Sequence, residues 1–540
     1  MNEDIEFETA TPPPLPNLFY GTSGPHDARI AIVGESWGSS EARKHRPFVG
    51  MTGDELTKIL AECGISRAAC FITNVVPQQP PGNEMLWFFE ATKTAREQNH
   101  YPVRGLYPKE NVLCGLELLR QQLAIVKPDI IIGFGNYVLW ALTDNDFIIK
   151  DKKGHKVPTG IGSWRGSQLY CTPEMGGFRF LPTYHPAAIF RTWAWRYDIV
   201  HDLKARVPLA LADNWNPPDY NFIIQPSFSE TMRVLAELKS KSFQAPLLLS
   251  EDIETSYGFI SCIGFAWNKH EAICIPFNKH SGESYWTEEE EIAIILAIRD
   301  LHKNPSVGIV GQNFLYDAQY YVLQLGFIPN CVADTMLLHH LCWPGKPKSL
   351  AYICSLYNSF YKFWKEEGKI RHPTFSDQQH WTYNCLDAVN TYEANTHLQK
   401  MIDFLNLREQ ATERNDVFAL ALDMMIRGVR IDLIARATLA KELNILLEEK
   451  MKGYDYNFEL VNPDISDMDL SKNGFSYVLL RLYAPGIDIK RLLNYKVNED
   501  QDTYSTQIYK DGKRSGTWEL FHENGQLRSK GNYKDGERNG

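Results

Sequence analysis

Apolar residues recur along this chain with two periods, and the alternation between them lays out the fold. Short continuous apolar runs stand at Ile30–Val33, Cys70–Val75, Ile130–Phe134 and Phe180–Thr183, the pattern of strands buried on both faces. Between them, Asp54–Cys63 and Cys114–Val126 repeat apolar positions at helical spacing. Strands alternating with helices predict an α/β domain with a largely parallel sheet, whose ligands sit beyond the carboxyl ends of the strands. A helix ending near Arg206 is followed by the Pro- and Asn-rich stretch Leu211–Pro218, which reads as a linker before a strand at Phe222–Gln225. A second block then opens with a buried strand at Leu247–Thr255. A hairpin through Phe259–Trp267 and Glu271–Phe277 follows, then a helix from Thr287 with Glu290 completing a capping box, and a strand at Val307–Val310. From Asn415 to Leu447 the pattern is helical and amphipathic, broken at Gly428–Asp432, and beyond Pro485 it changes again.

With 540 residues, 44% hydrophobic and 12% aromatic, the chain can bury two or three cores of ordinary domain size. Its net charge of −10 excludes a generally basic nucleic-acid coat, so any DNA contact comes from local patches and metals. The ten cysteines include no C-x-x-C, which suits a reducing cytoplasm and reads as buried small hydrophobes. The acidic Met1–Ala10 is no export signal, and no segment has the length of a membrane span. These features predict a protein of the cytoplasm with no membrane partner.

Three acidic motifs stand in order in the second block: Asp252-Ile253-Glu254, Asn313 with Asp317, and Tyr383 with Asp387. Residues two apart on a strand share a face, so Asp252 and Glu254 project together. A spacing of four stacks the members of each of the other two pairs on one helix face. Four converging carboxylates repel one another unless divalent cations compensate them, which implies Mg2+ or Mn2+ held by Asp252, Glu254, Asp317 and Asp387. Two such ions about 3.5–4 Å apart activate a water and stabilise the leaving 3′ oxygen of a phosphodiester. Tyr383 would orient that water.

These residues resemble the DEDD-type 3′→5′ exonuclease, the proofreading domain of family A DNA polymerases, over about 225–400. The resemblance implies an RNase H-like mixed sheet and the tyrosine subtype of the site, with Asn313 placed behind the ligands or against the substrate strand. Asp334 lacks a partner at ligand spacing and is left out of the metal set. Met424–Asp432 resembles the segment by which family A polymerases leave the exonuclease for the thumb. Nothing after it looks like the palm carboxylates, so polymerase activity is not expected of this chain alone, and a separate polymerase polypeptide is an expected partner. Residues from about 508, including Gly516-Thr517-Trp518 and Asn524-Gly525-Gln526-Leu527, look like a MORN-type repeat with glycine-turned hairpins.

The first block carries Gly34-Glu35-Ser36-Trp37-Gly38, Arg46-Pro47-Phe48-Val49-Gly50, Thr73-Asn74-Val75-Val76, Pro80-Pro81-Gly82-Asn83 and His185-Pro186-Ala187-Ala188 followed by Arg191. Their order and spacing resemble the uracil-DNA glycosylase superfamily, in particular the branch that usually holds an iron–sulfur cluster. The resemblance implies that Phe48 stacks on a flipped base and Asn74 reads its polar edge. Glu35 would position water, His185 would stabilise charge on the base oxygen, and Asn83 and Arg191 would contact the substrate. With Arg196 beyond, Arg191 also suggests a loop pressed on the DNA backbone. Only Cys114 falls near a cluster-binding position, so no iron–sulfur cluster is expected. Trp37 stands where a proline is expected and would reshape or close the pocket. Excision of uracil, recognition without cutting, and a purely structural clamp all remain open for this domain.

The expected organisation is α/β and multidomain. A glycosylase-like domain at 20–206 and a linker at 207–224 precede the exonuclease domain at 225–400, the truncated helical start of a polymerase region at 401–490 and the repeat tail at 505–540. The expected function is a phage-type replication or repair enzyme acting on single-stranded 3′ ends, uracil-containing strands among them. The alternative is a non-catalytic DNA-binding or replisome-assembly subunit.

Overall fold

The computed structural model describes residues 18–451 except 99, 145–147, 152–154, 257, 280, 366–375, 429 and 431, with only the backbone at 433 and 446–451. Farther on it describes the backbone of strand residues between 503 and 539. The chain divides into two compact units, Met1–Arg427 and Gly428–Gly540.

In the first unit, the leading sheet contains β1 (Ile30–Ser36), β2 (Cys70–Val76), β3 (Ile130–Phe134), β4 (Leu169–Tyr170) and β5 (Arg179–Thr183) in the order β2-β1-β3-β5-β4. All pairs are parallel except the short edge strand β4, because each crossover passes through helical segments that cover the sheet. Among these segments are α1 (Met51–Glu62), α2 (Glu110–Val126) and α3 (Trp195–Leu211). Apolar cores form on both faces, one around Val33, Phe71 and Leu119, the other around Ile32, Leu56 and Leu203.

The second sheet contains β6 (Asn221–Ile223), β7 (Leu247–Ser256), β8 (Phe259–Ala266), β9 (Glu271–Pro276), β10 (Val307–Gly311) and β11 (Cys331–Asp334) in the order β11-β10-β7-β8-β9-β6. The hairpins β7-β8 and β8-β9 are antiparallel, whereas β10 joins β7 in parallel, giving the mixed sheet expected. Around it lie α4 (Phe228–Ser242), α5 (Glu288–His302), α6 (Leu315–Tyr320), α7 (Leu350–Tyr357), the long α8 (Asp377–Phe404) and α9 (Arg408–Arg427). Both halves of the Thr287–Glu290 capping box form at the start of α5, satisfying backbone donors that the first helical turn leaves open. No helix among the described residues is long and apolar enough to cross a membrane.

Two sequence expectations give way here. The helix expected to end near Arg206 runs on to Leu211 with Pro208 inside it, and Trp215, in the supposed linker, is 1% exposed with its indole N–H donating to the Leu169 carbonyl. Among the cysteines, Cys114 is exposed on α2, and Cys63 and Cys342 are half-buried.

α3 forms a seam between the two sheets. Arg165, buried, pairs with Asp202 of α3 and donates to the Ser355 hydroxyl of α7 at 2.9 Å. Arg206, also buried, donates to the carbonyls of Ser355, Asn358 and Ser359 at 3.0–3.2 Å. Thr183 donates to Asp202 at 2.7 Å, and Tyr352 of α7 to Asp198 of α3 at 2.6 Å. Ions buried this deeply are tolerated only when their hydrogen-bonding capacity is filled.

In the second unit, α10 (Leu433–Met451) follows Gly428, whose φ of 64° ends the preceding helix in the left-handed region. Strands Gly516–His522 and Leu527–Lys534 pair antiparallel. The turn between them and residues 452–502, on which the polymerase-start reading bears, lie outside the described residues.

Arg165→Ala leaves the Asp202 carboxylate buried without its cation, and removing one partner of such a pair costs about 3–5 kcal/mol. Urea unfolding of the full chain should show a loss of that size, with both sheets melting in one transition if the seam couples them.

Candidate functional site

Two constellations form at opposite ends of the first unit's sequence. In the leading sheet, Gly34 of β1 lies beside Asn74 of β2 in parallel register. A Cβ at Gly34 would fall 2.6 Å from the Asn74 amide nitrogen and 2.7 Å from the Phe48 ring, so only glycine lets these two side chains close over the strand end. Phe48 itself has a φ of 50°, an uncommon conformation for a bulky residue that needs surrounding support. Arg67 supplies it, donating to the carbonyls of Phe48 at 2.7 Å and Gly53 at 2.9 Å. Phe48 stacks against His185 with ring centroids 5.9 Å apart and planes 26° from parallel.

His185 caps the turn Pro186–Phe190, its Nδ1 accepting the Ala187 N–H at 3.2 Å. That bond assigns the ring proton to Nε2, leaving a neutral donor. Burial, then Arg191, pushes the His185 pKa down to about 4. Glu35 accepts the Tyr137 N–H at 3.2 Å, and burial pushes its carboxyl up to about 7. The carbonyl oxygen of Asn74 is buried without a partner, while its amide donates to the Ser36 carbonyl at 3.4 Å. Arg191 is exposed, near enough to act electrostatically on both Glu35 and His185.

Asn83 stands apart from this group, exposed and accepting from Gln79 at 2.9 Å. Arg196, expected near a DNA-facing loop, is tied to Glu55 at 2.7 Å and Glu62 at 2.8 Å. Trp37 packs against Tyr20 and His45 with centroids 5.9 Å away.

The second constellation is acidic. Strand alternation on β7 sends Ile253 into the apolar core and turns Asp252 and Glu254 to the α8 side, where Asp387 meets them. Carboxylate oxygens of these three lie within 4.8 Å of one another. Burial first, then Asp387, holds Asp252 well above the usual carboxylate range; burial and then Asp252 do the same for Glu254. Hard oxygen donors that resist sharing a buried space unless a cation joins them fit Mg2+ or Mn2+.

Asp317, the fourth expected ligand, is buried nearby, and one oxygen accepts the Ile253 N–H at 3.0 Å. It thus braces the strand between the two β7 acids, and its pKa is raised by burial and by Asp252. Asn313 does not share a helix face with Asp317. It has a φ of 58°, and α6 begins only at Leu315. The reason is Asp334, whose carboxylate accepts the N–H groups of Asn313 and Phe314 at 3.0 and 2.8 Å and fixes the turn ahead of the helix.

Three contributors escaped the motif reading. Asn384 donates to both the carbonyl and the carboxylate of Asp252 at 3.0 Å, in space left by Gly264, where a Cβ would lie 2.4 Å from the Asn384 side chain. Its place three residues before Asp387 on one helix was a usable signal. Trp364 donates to Asp387 at 2.6 Å, and Lys365 to Tyr383 at 2.8 Å and to Asp387. Both stand ahead of α8, at no spacing that a motif would reveal.

The chain matches the family model "Uracil DNA glycosylase superfamily" over residues 21–204. The Type-4 uracil-DNA glycosylase of Thermotoga maritima is 33% identical over 193 residues, which are 35% of this chain and 82% of that protein. The enzyme of the same name from Pyrobaculum aerophilum is 33% identical over 174 residues, 32% of this chain and 74% of that protein. Among solved structures, Brucella melitensis NrnC is similar at a TM-score of 0.28 and 14% identity, covering 35% of this chain and 88% of NrnC. With its leading sheet, its Phe48–Asn74–His185 group and these relatives together, this chain belongs to the uracil DNA glycosylase superfamily.

Proposed function

We propose that this chain is a DNA-processing enzyme with two separate hydrolytic sites, a uracil-DNA glycosylase site and a metal-dependent 3′→5′ exonuclease site. The nuclease half is carried by one observation: three carboxylates from a strand and a helix, two half-buried and one buried, share one space with a tyrosine beside them. The glycosylase half is supported by the family membership and by a polar pocket of fitting chemistry.

In the glycosylase site, a base extruded from the strand stacks on Phe48 and meets the unpaired Asn74 carbonyl oxygen, an acceptor suited to the imide N–H of uracil. As the bond between C1′ of the sugar and N1 of the base breaks, the base takes the electron pair. The His185 Nε2–H faces that developing negative charge, and the Glu35 carboxylate stabilises the cation-like sugar and orients the water that adds at C1′. Exposed Arg191 is placed for a backbone phosphate.

In the nuclease site, Asp252, Glu254 and Asp387 would hold a divalent cation, which would supply charge neutralisation and lower the pKa of a bound water. Asn384 keeps Asp252 oriented, Asp317 braces the strand, and Tyr383 positions the reacting groups. A proofreading partner role beside a separate polymerase polypeptide is consistent with such a site.

Asp252→Ala should lower Mg2+-dependent digestion of a 3′-labelled single strand by about a thousandfold or more, while uracil release from the same chain continues. Digestion surviving in this variant, or in excess chelator, would refute the nuclease assignment. Glu35 must be ionised to stabilise a cationic sugar, and its pKa is pushed up to about 7. Single-turnover uracil release should therefore rise with pH through about 7 and then level off. Glu35→Gln should lose both the rate and that ascending limb. A flat wild-type profile across neutral pH would count against the role given to Glu35.

A further inference from the structure

A cation from outside the acidic motifs enters the carboxylate site. Lys365 donates to the Tyr383 hydroxyl oxygen at 2.8 Å and to one oxygen of Asp387, while the neighbouring Trp364 indole donates to the other Asp387 oxygen at 2.6 Å. Two consecutive residues thus hold both oxygens of one acid. The ammonium also lies 4.9 Å from the centroid of the Tyr383 ring. Its side chain is 30% exposed, so substrate can reach it.

An ammonium has only donors, so the Tyr383 oxygen accepts from Lys365, and its own O–H, beside Asp387, is the group that donates. A tyrosine phenol carries its proton at neutral pH. We propose that Lys365 is a positioning residue of the nuclease site, which sets the Tyr383 hydroxyl as a donor toward the scissile phosphate. This rests on the nuclease reading above. Lys365 acts through Tyr383, and its loss should be felt chiefly when Tyr383 is present.

The test uses the full chain with Mn2+ and a 3′-labelled single-stranded oligonucleotide. Lys365→Met should lower kcat about thirtyfold with KM within about twofold, and Lys365→Arg should recover part of the loss. In a Tyr383→Phe background the same Lys365→Met change should cost less than about threefold, because two residues acting as a unit do not add. Calorimetric titration with Mn2+ alone should show Lys365→Met binding at least as tightly as the wild type, since a neighbouring positive charge has been removed. Digestion by Lys365→Met within twofold of wild type overturns the proposal. So do multiplicative losses in the double variant, or loss of Mn2+ binding. Should Lys365→Met melt early, Lys365→Gln replaces it in the same cycle. Failure of the wild type to shorten 3′ ends in Mn2+ would instead refute the nuclease reading itself.

Discussion

Like charges held in a buried space need compensation, and this requirement organises the second half of the first unit. Asp252, Glu254 and Asp387 place carboxylate oxygens within 4.8 Å of one another, an arrangement that burial and mutual repulsion both oppose. The surrounding residues answer that strain in kind. Asn384 takes one acid, Trp364 and Lys365 another, and one oxygen of Asp317 takes the backbone N–H between the two β7 acids. Glycine at 264 and the left-handed turn at Asn313 follow from the same demand, since each makes room or sets direction for a group near the acids.

The glycosylase-type site uses a different physical device. Its groups are neutral or nearly so: His185 is kept uncharged by burial, and Glu35 is poised near neutrality. A neutral donor and an acid that titrates near neutral pH suit a reaction in which charge appears only as a bond to the base breaks. Strain is stored at Phe48, whose backbone conformation is held by Arg67 and by the close approach of Gly53. The two sites belong to domains joined by the Arg165–Asp202–Ser355 and Arg206 contacts, so α3 acts as a shared structural beam.

Much of this was legible along the chain. Strands such as Ile130–Phe134 announce themselves because a sheet buried on both faces demands unbroken apolar runs. The pairs Asp252/Glu254 and Tyr383/Asp387 were legible because strand and helix periodicity translate spacing directly into a shared face. The Asn313/Asp317 pair shows where that logic stops. The spacing was helical, but Asp334, distant in sequence, captured the backbone and turned Asn313 away from the helix.

Local order, the ordinary periodicities and the chemistry of short motifs were thus decided by the sequence alone, because they depend on neighbours a few residues away. Tertiary structure decided which groups meet. It brought Lys365 and Trp364 to Asp387, tied Arg196 to Glu55 and Glu62, and drew Arg165 and Arg206 into the seam with α7. Each of these is an electrostatic or hydrogen-bonding choice among partners remote in the chain, settled only when burial removes water as the competing partner.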